Sequence, residues 1–97
     1  MESEDIVIAL TALAQTNRLA VFRLLVEIGE EGMPAGKIAE TLDIPPSSLS
    51  FHLKELHHSG LVRQKQEGRF LIYSANYDRM KRVVGYLTEN CCHGKPC

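Results

Sequence analysis

Every cysteine of this 97-residue chain falls within its last seven positions, "CCHGKPC": Cys91, Cys92 and Cys97. Chain ends fray, so sulfurs placed there fill no core. Thiolates are soft ligands and select soft ions. The adjacent Cys91 and Cys92 can supply two sulfurs with little rearrangement, and Gly94 lets the chain fold back so that Cys97 supplies a third. Zinc competes for such a site, because His93 completes a Cys₃His set, although adjacent cysteines depart from the usual C-x₂₋₄-C zinc spacing. Two further readings stand beside these. One is a disulfide between Cys97 and either Cys91 or Cys92 under oxidant, and the other is an inert tail. An odd cysteine count leaves one thiol over after a single bridge, which argues against a disulfide framework.

No nucleophile–base couple and no catalytic pair of carboxylates accompanies the thiols, so an enzyme is not expected. The 44% hydrophobic and 24% charged content is that of an ordinary folded domain, and the length suffices for one core but not two. No apolar run approaches the ~20 residues that cross a bilayer, so no membrane partner is expected. The acidic start "MESEDIVIAL" lacks the basic region of a secretory signal, which points to a cytoplasmic address where thiols stay reduced. Charge is unevenly spread. Residues 1–46 carry eight acids against three bases, and residues 47–97 carry eight bases against four acids. A nucleic-acid footprint needs one basic face, not a basic protein.

The thiols need a scaffold that turns binding into an output. Residues 3–15 read as a helix with Ser3 as cap and Glu4 and Asp5 at its positive end. Ile6, Leu10 and Leu13 share one face, and Val7 and Ile8 widen the stripe beyond what one core needs, which favours pairing with a second subunit. "TNRLAVFRLLVEIG" is a second helix, with Leu19, Phe22, Leu25 and Ile28 inward and Gly29 as its stop. "MPAGKIAETLD" gives a short third helix opened by Pro34. "IPPSSLSFHLKELHHSG" gives a fourth, with Pro46 in its first turn, Leu49, Leu53 and Leu56 inward and Gly60 closing it. Two short helices around a tight turn, the second amphipathic, make a helix-turn-helix.

Beyond it, "LVRQKQ" and "RFLIYSA" alternate as strands around an "EG" turn. "NYDRMKRVVGYLTEN" is a closing helix capped by Asn76, with Met80, Val83, Val84 and Leu87 on its apolar face. If that helix continues, Cys91 falls four residues after Leu87 on the same stripe. The fold class is therefore mainly α with a β-hairpin wing. Five helices and a two-stranded wing form a winged helix-turn-helix over residues 1–90, followed by a cysteine-rich tail at 91–97.

Placing the three leucines inward leaves Ser47, Phe51 and Lys54 outward on the fourth helix, with Ser48 to one side. Serine hydroxyls suit phosphates or base edges, and Phe51 can meet a thymine methyl or the domain's own surface. Arg63 lies on the wing, and Arg69, after its turn, can reach a minor groove or a phosphate, or be merely solvated. His52 sits at the edge of the buried face and reads as structural, while His57 and His58 have no metal-ligand spacing. One recognition helix reads too few base pairs alone, so a two-fold homodimer is expected, with Ile6, Leu10, Leu13, Val84 and Leu87 at its interface. Winged helices also dock proteins, and a lack of salt-dependent DNA binding would favour that alternative.

The stretch "SSLSFHLKELHHSGLV" resembles the recognition helix of the ArsR/SmtB family of metal-responsive repressors: a serine, one residue, His-Leu-Lys-x-Leu, then Gly-Leu-Val into the wing. Here these are Ser50, His52, Leu53, Lys54, Leu56, Gly60, Leu61 and Val62. "NRLAVFRLL" is also similar to the family's second helix, and the likeness spans roughly residues 6–90. The resemblance implies a role for Ser50 at the DNA. Two departures bear on the subtype. One arsenical group carries a Cys-x-Cys pair before the recognition helix, where this chain has "AGKIAETLD". Zinc sensors carry Asp and His ligands on the last helix, where this chain has Asp78 and no histidine.

The tail resembles a further group, whose arsenic site is built from cysteines just beyond the last helix. The resemblance therefore implies an As(III)- or Sb(III)-responsive repressor. It would bind double-stranded operator DNA as a dimer without a cofactor, and leave when Cys91, Cys92 and Cys97 take the metalloid. Trivalent arsenic and antimony carry a lone pair and prefer three sulfurs in a shallow pyramid, which three cysteines complete. A zinc- or cadmium-responsive or redox-responsive repressor of the same family remains the alternative.

Overall fold

A computed structural model describes residues 2–96. The chain runs α1 (Ser3–Leu13), α2 (Thr16–Ile28), β1 (Met33–Pro34), α3 (Ala35–Leu42), α4 (Pro46–His58), β2 (Val62–Glu67), β3 (Phe70–Ala75) and α5 (Tyr77–Thr88), then a 3₁₀ turn at Cys91–Gly94. This is the expected winged helix-turn-helix, with one strand more than expected. Met33 and Pro34 pair with Tyr73 and Ile72, so the antiparallel sheet has the order β1-β3-β2. Two residues, one of them proline, carry too little alternation to be read as a strand.

The N-cap of α1 is Glu2, whose carbonyl accepts from the Asp5 and Ile6 amides; Ser3 already lies inside the helix and caps nothing. Gln15 caps α2 by accepting from Arg18 N–H at 2.8 Å, and Arg18 Nε donates to Ala12 O at 2.7 Å. One residue thus helps start one helix and sets a cation on the last carbonyls of another. Leu19, expected inward, is 46% exposed, because Val21, Phe22 and Leu25 carry the buried face of α2.

Leu25, Ile38, Leu49, Leu56 and Leu61 are among the side chains with essentially no exposed surface. Burying each contributes about 1.5–3 kcal/mol relative to leaving it in water. The exit from α4 is closely specified. Gly60 N–H donates to His57 O at 3.0 Å and Leu61 N–H to Leu56 O at 3.1 Å, a Schellman pair. Gly60 has φ +82°, and a Cβ there would press on the Arg79 guanidinium.

The hairpin turns at Gly68 and Arg69, one residue later than expected, since Glu67 pairs with Phe70. Gly68 has φ +60°, as the first position of a II′ turn requires. Asn76 starts α5 as expected. Its Oδ1 accepts from Arg79 N–H at 3.2 Å, while its Nδ2 donates to Gly60 O at 2.9 Å, binding the start of α5 to the end of α4. The Tyr77 hydroxyl reaches Val26 O at 2.9 Å, anchoring the same turn to the end of α2. Among the described residues no single helix is long and apolar enough to cross a membrane.

Candidate nucleic-acid interface and thiol tail

The turn before α4 is made by Asp43, in the left-handed region at φ 53°, by the buried Ile44 and by Pro45. Ile44 N–H returns to Ala39 O at 3.0 Å, which fixes the angle between α3 and α4. Pro46 takes the first helical position, where a missing N–H costs nothing. No side chain caps α4, and Leu49 N–H is the first to find a carbonyl, that of Pro45 at 2.9 Å. The Ser47 and Ser48 amides are thus open to water or to a phosphate. With Leu49, Leu53 and Leu56 buried, Ser47, Ser48, Ser50, Phe51 and Lys54 are all exposed on the outer face.

The wing separates its two arginines. Arg69 lies at the tip, in the turn itself, and makes no ion pair among the described residues. Arg63 pairs with Ser74 near the base of the hairpin, where it lines a cavity of about 320 Å³ with Glu30, Tyr77 and Asp78. Its surroundings are partly acidic and oppose a phosphate. Lys65 is engaged with Glu67 at 3.1 Å. Arg69 is therefore the better-placed cation of the hairpin. Sequence alternation alone could not rank the two, because both fall on exposed positions.

His52 is buried with Leu53 beside it, as its place at the edge of the apolar face implied. Its Nδ1 has no hydrogen-bond partner among the described residues, and its ring stands edge-on to Phe51 with centroids 6.0 Å apart. Burial, and secondarily the nearby Arg18 charge, lower its pKa below the ordinary 6.5. The residue is neutral at physiological pH and belongs to the packing of α4.

The tail is built differently. α5 ends at Thr88, and Asn90 adopts a left-handed conformation at φ 59°, so Cys91 does not extend the Leu87 stripe. Cys92, His93 and Gly94 follow with positive φ, a left-handed turn that leaves no residue of this segment buried. Cys91 Sγ and Cys92 Sγ lie 3.7 Å apart, and Cys92 is disulfide-bonded. Cys97, the third expected ligand, lies outside the described residues. Within the described residues no three metal-ligating side chains converge.

Residues 13–65, from the end of α1 to the middle of β2, match the helix-turn-helix domain family. The chain belongs to that family. Curated relatives of this helix-turn-helix chain include the nodulation protein NolR of Rhizobium meliloti, 32% identical over 82% of this chain and 63% of its own length. An uncharacterized HTH-type transcriptional regulator of Methanocaldococcus jannaschii is 32% identical over 80% of this chain and 85% of its own. The chain thus spans less than two thirds of NolR. Among solved structures, HlyU from Vibrio cholerae is 28% identical and covers 95% of this chain and 99% of that one at TM-score 0.74. A homodimeric winged helix-turn-helix DNA-binding domain from Mycobacterium bovis, described as a possible ArsR-family regulator, shares the fold at TM-score 0.73 with 22% identity, over 97% and 87% of the two chains. Of these, the Methanocaldococcus protein is named as an HTH-type transcriptional regulator.

The helix-turn-helix core accounts for only part of the apolar surface. Ile6, expected at a subunit interface, is instead 3% exposed and packs with Ala9 and Ala12 inside its own subunit. Leu13 is half-buried against the same core. The surplus sits on the other faces of the terminal helices: Val7, Ile8 and Leu10 on α1, and Val84, Tyr86 and Leu87 on α5. Of these, Val7, Ile8 and Tyr86 were not singled out as interface positions from sequence, although the wide stripe of α1 carried the signal for the first two.

Proposed function

We propose that this protein is an As(III)- or Sb(III)-responsive transcriptional repressor that binds operator DNA as a homodimer. Its α4 enters the major groove with Ser47, Ser48, Ser50, Phe51 and Lys54, and the wing reaches the flanking backbone through Arg69. The terminal helices pair through Leu10, Val84 and Leu87, and the metalloid at Cys91, Cys92 and Cys97 weakens the DNA complex. One observation carries the sensor reading: two exposed sulfurs 3.7 Å apart stand immediately beyond the helix whose apolar face is unpaired. A ligand gathered there acts directly on the end of that helix. The protein is expected to work in the cytoplasm without a cofactor in its DNA-bound state.

A redox-responsive repressor is the second reading, favoured by the disulfide at Cys92. Arsenic, zinc and oxidant differ in their proton balance. An ordinary cysteine thiol, with a pKa of about 8.5, is mostly protonated at neutral pH. Arsenite is then an uncharged trihydroxide, and each sulfur that bonds arsenic passes its proton to a departing hydroxide, which leaves as water. Three As–S bonds form, three As–O bonds break, and no proton is released. Zinc displaces thiol protons outright, so its affinity climbs with pH. Calorimetry of the reduced protein in two buffers of different ionisation heat measures this count. Near-zero release on arsenite binding supports the proposal, and zinc binding tightly where arsenite gives no heat would replace it.

A further inference from the structure

Of the three phenylalanines, only Phe22 is in the core; Phe51 and Phe70 are 56% and 62% exposed. Phe51 is on the recognition helix, where an exposed ring was expected. Phe70 is on the wing, and nothing in the hairpin uses it. It opens β3 immediately after the Gly68–Arg69 turn, and its cross-strand partner is Glu67, not another apolar residue. Along β3 the burial declines from Ala75, at 4%, to Leu71 and Phe70 at the tip, so the distal hairpin projects beyond the core that seats its base.

We propose that Phe70 is a DNA-contacting residue, its ring entering the minor groove beside Arg69 and wedging against a base step. The inference rests on the reading of this chain as a duplex-DNA binder. A ring held in water at a protruding tip is stabilised only if it meets an apolar surface, and the stacked bases of a duplex offer one. The adjacent unpaired arginine supplies the attraction to a narrow, negative groove, and apolar wedges beside basic residues are how minor-groove proteins part a base step. Two local features favour that approach. The Lys65–Glu67 ion pair at 3.1 Å offsets the negative charge of the residue that faces Phe70 across the hairpin. Gln66 Nε2 donates to Gly68 O at 3.0 Å, which holds the turn in one shape. Flexible pyrimidine–purine steps part most easily, so Phe70 confers preference for such a step in each flank.

The probe is a duplex recovered from a random-sequence library by the wild-type protein, carrying 2-aminopurine at flanking adenines. Wild type should raise the 2-aminopurine fluorescence of one flanking position. Phe70→Ala should bind about fivefold or more weakly, leave the salt dependence unchanged, and give no fluorescence rise even at saturation. Phe70→Leu should recover part of both signals, which a loss confined to hairpin folding would not permit. Affinity of Phe70→Ala within fivefold of wild type, or a fluorescence rise that survives the substitution, overturns the wedge while leaving DNA binding intact. Failure of the wild type to recover any duplex overturns the DNA-binding reading and the wedge with it.

Discussion

Leu49, Leu53 and Leu56 seat α4 in the core with at most 2% of their surface exposed, whereas nothing from Glu89 to Pro96 is buried. The recognition helix is further fixed by a proline at its start, a Schellman pair at its end and the Asn76 bond to Gly60. Its exposed side chains are held in one arrangement, which would lower the ordering cost of binding DNA. The thiol tail is not seated in the core in this way: its described residues are exposed, and its sulfurs stand at the surface where a ligand or an oxidant can reach them. If α4 is the reader and the exposed tail the sensor, as proposed, the two can be altered independently, and that independence is testable.

The largest expected effect lies in the reader. Leu56→Ala should cost about 2–5 kcal/mol in urea denaturation, through lost burial and the cavity it leaves. Serine at Cys91, Cys92 or Cys97 should change stability by no more than about 0.5 kcal/mol. A tail substitution as costly as the core one would mean the tail is built into the fold.

Next comes assembly. Leu87→Glu places a charge on the unpaired face of α5 and should give a monomer by sedimentation, with operator binding lost. A variant that stays dimeric moves the interface away from α5. Leu10→Glu tests the α1 half of the same surface, on a residue that is only partly exposed, and should have a weaker effect.

The wing sharpens the comparison within the reader itself. Arg69→Ala should weaken DNA binding and lower the slope of log affinity against log salt by about one phosphate contact. Arg63→Ala, beside Glu30 and Asp78, should change that slope less. Equal slopes for the two variants would show that DNA reaches the wing base as well as its tip.

The smallest effect belongs to His52. Burial and Arg18 lower its pKa in the fold below 6.5, so the unfolded chain takes up the proton more readily. Stability is then complete above the unfolded value and declines as pH falls through the lowered folded one. His52→Gln should remove part of that decline, read from melting curves between about pH 5 and 8. An unchanged pH dependence would assign the acid sensitivity to other groups.

Much of the fold was legible because it is written in periodicity. Leu49, Leu53 and Leu56 one turn apart, Pro46 at a helix start, Gly60 at its end and Asn76 as a cap each state one local rule, and the structure obeys each. The misses have physical reasons. Met33–Pro34 is a strand only because β3 offers it an edge, a non-local fact. Ile6 and Val7 are equally apolar neighbours, so only the packed position of α1 reveals that one faces the core and the other water. The hairpin turn slipped by one residue because "EG" and "GR" are both acceptable until the register is known. For the tail, residue types suggested the chemistry, but no periodic pattern constrains where a left-handed turn puts its sulfurs.

The most direct test of the whole account is fluorescence anisotropy of the recovered operator duplex, bound to reduced protein and titrated with arsenite. Linkage requires that affinity taken from DNA by the ligand is equally taken from the ligand by DNA, typically ~1–3 kcal/mol. Arsenite should release the wild-type complex with a shift of about 5–150-fold in affinity, and should not release the complexes of the Cys91→Ser or Cys92→Ser variants, with loss at Cys97→Ser mildest because the adjacent Cys91 and Cys92 sulfurs both remain. If all three serine variants are released as readily as wild type, the tail is not the sensor.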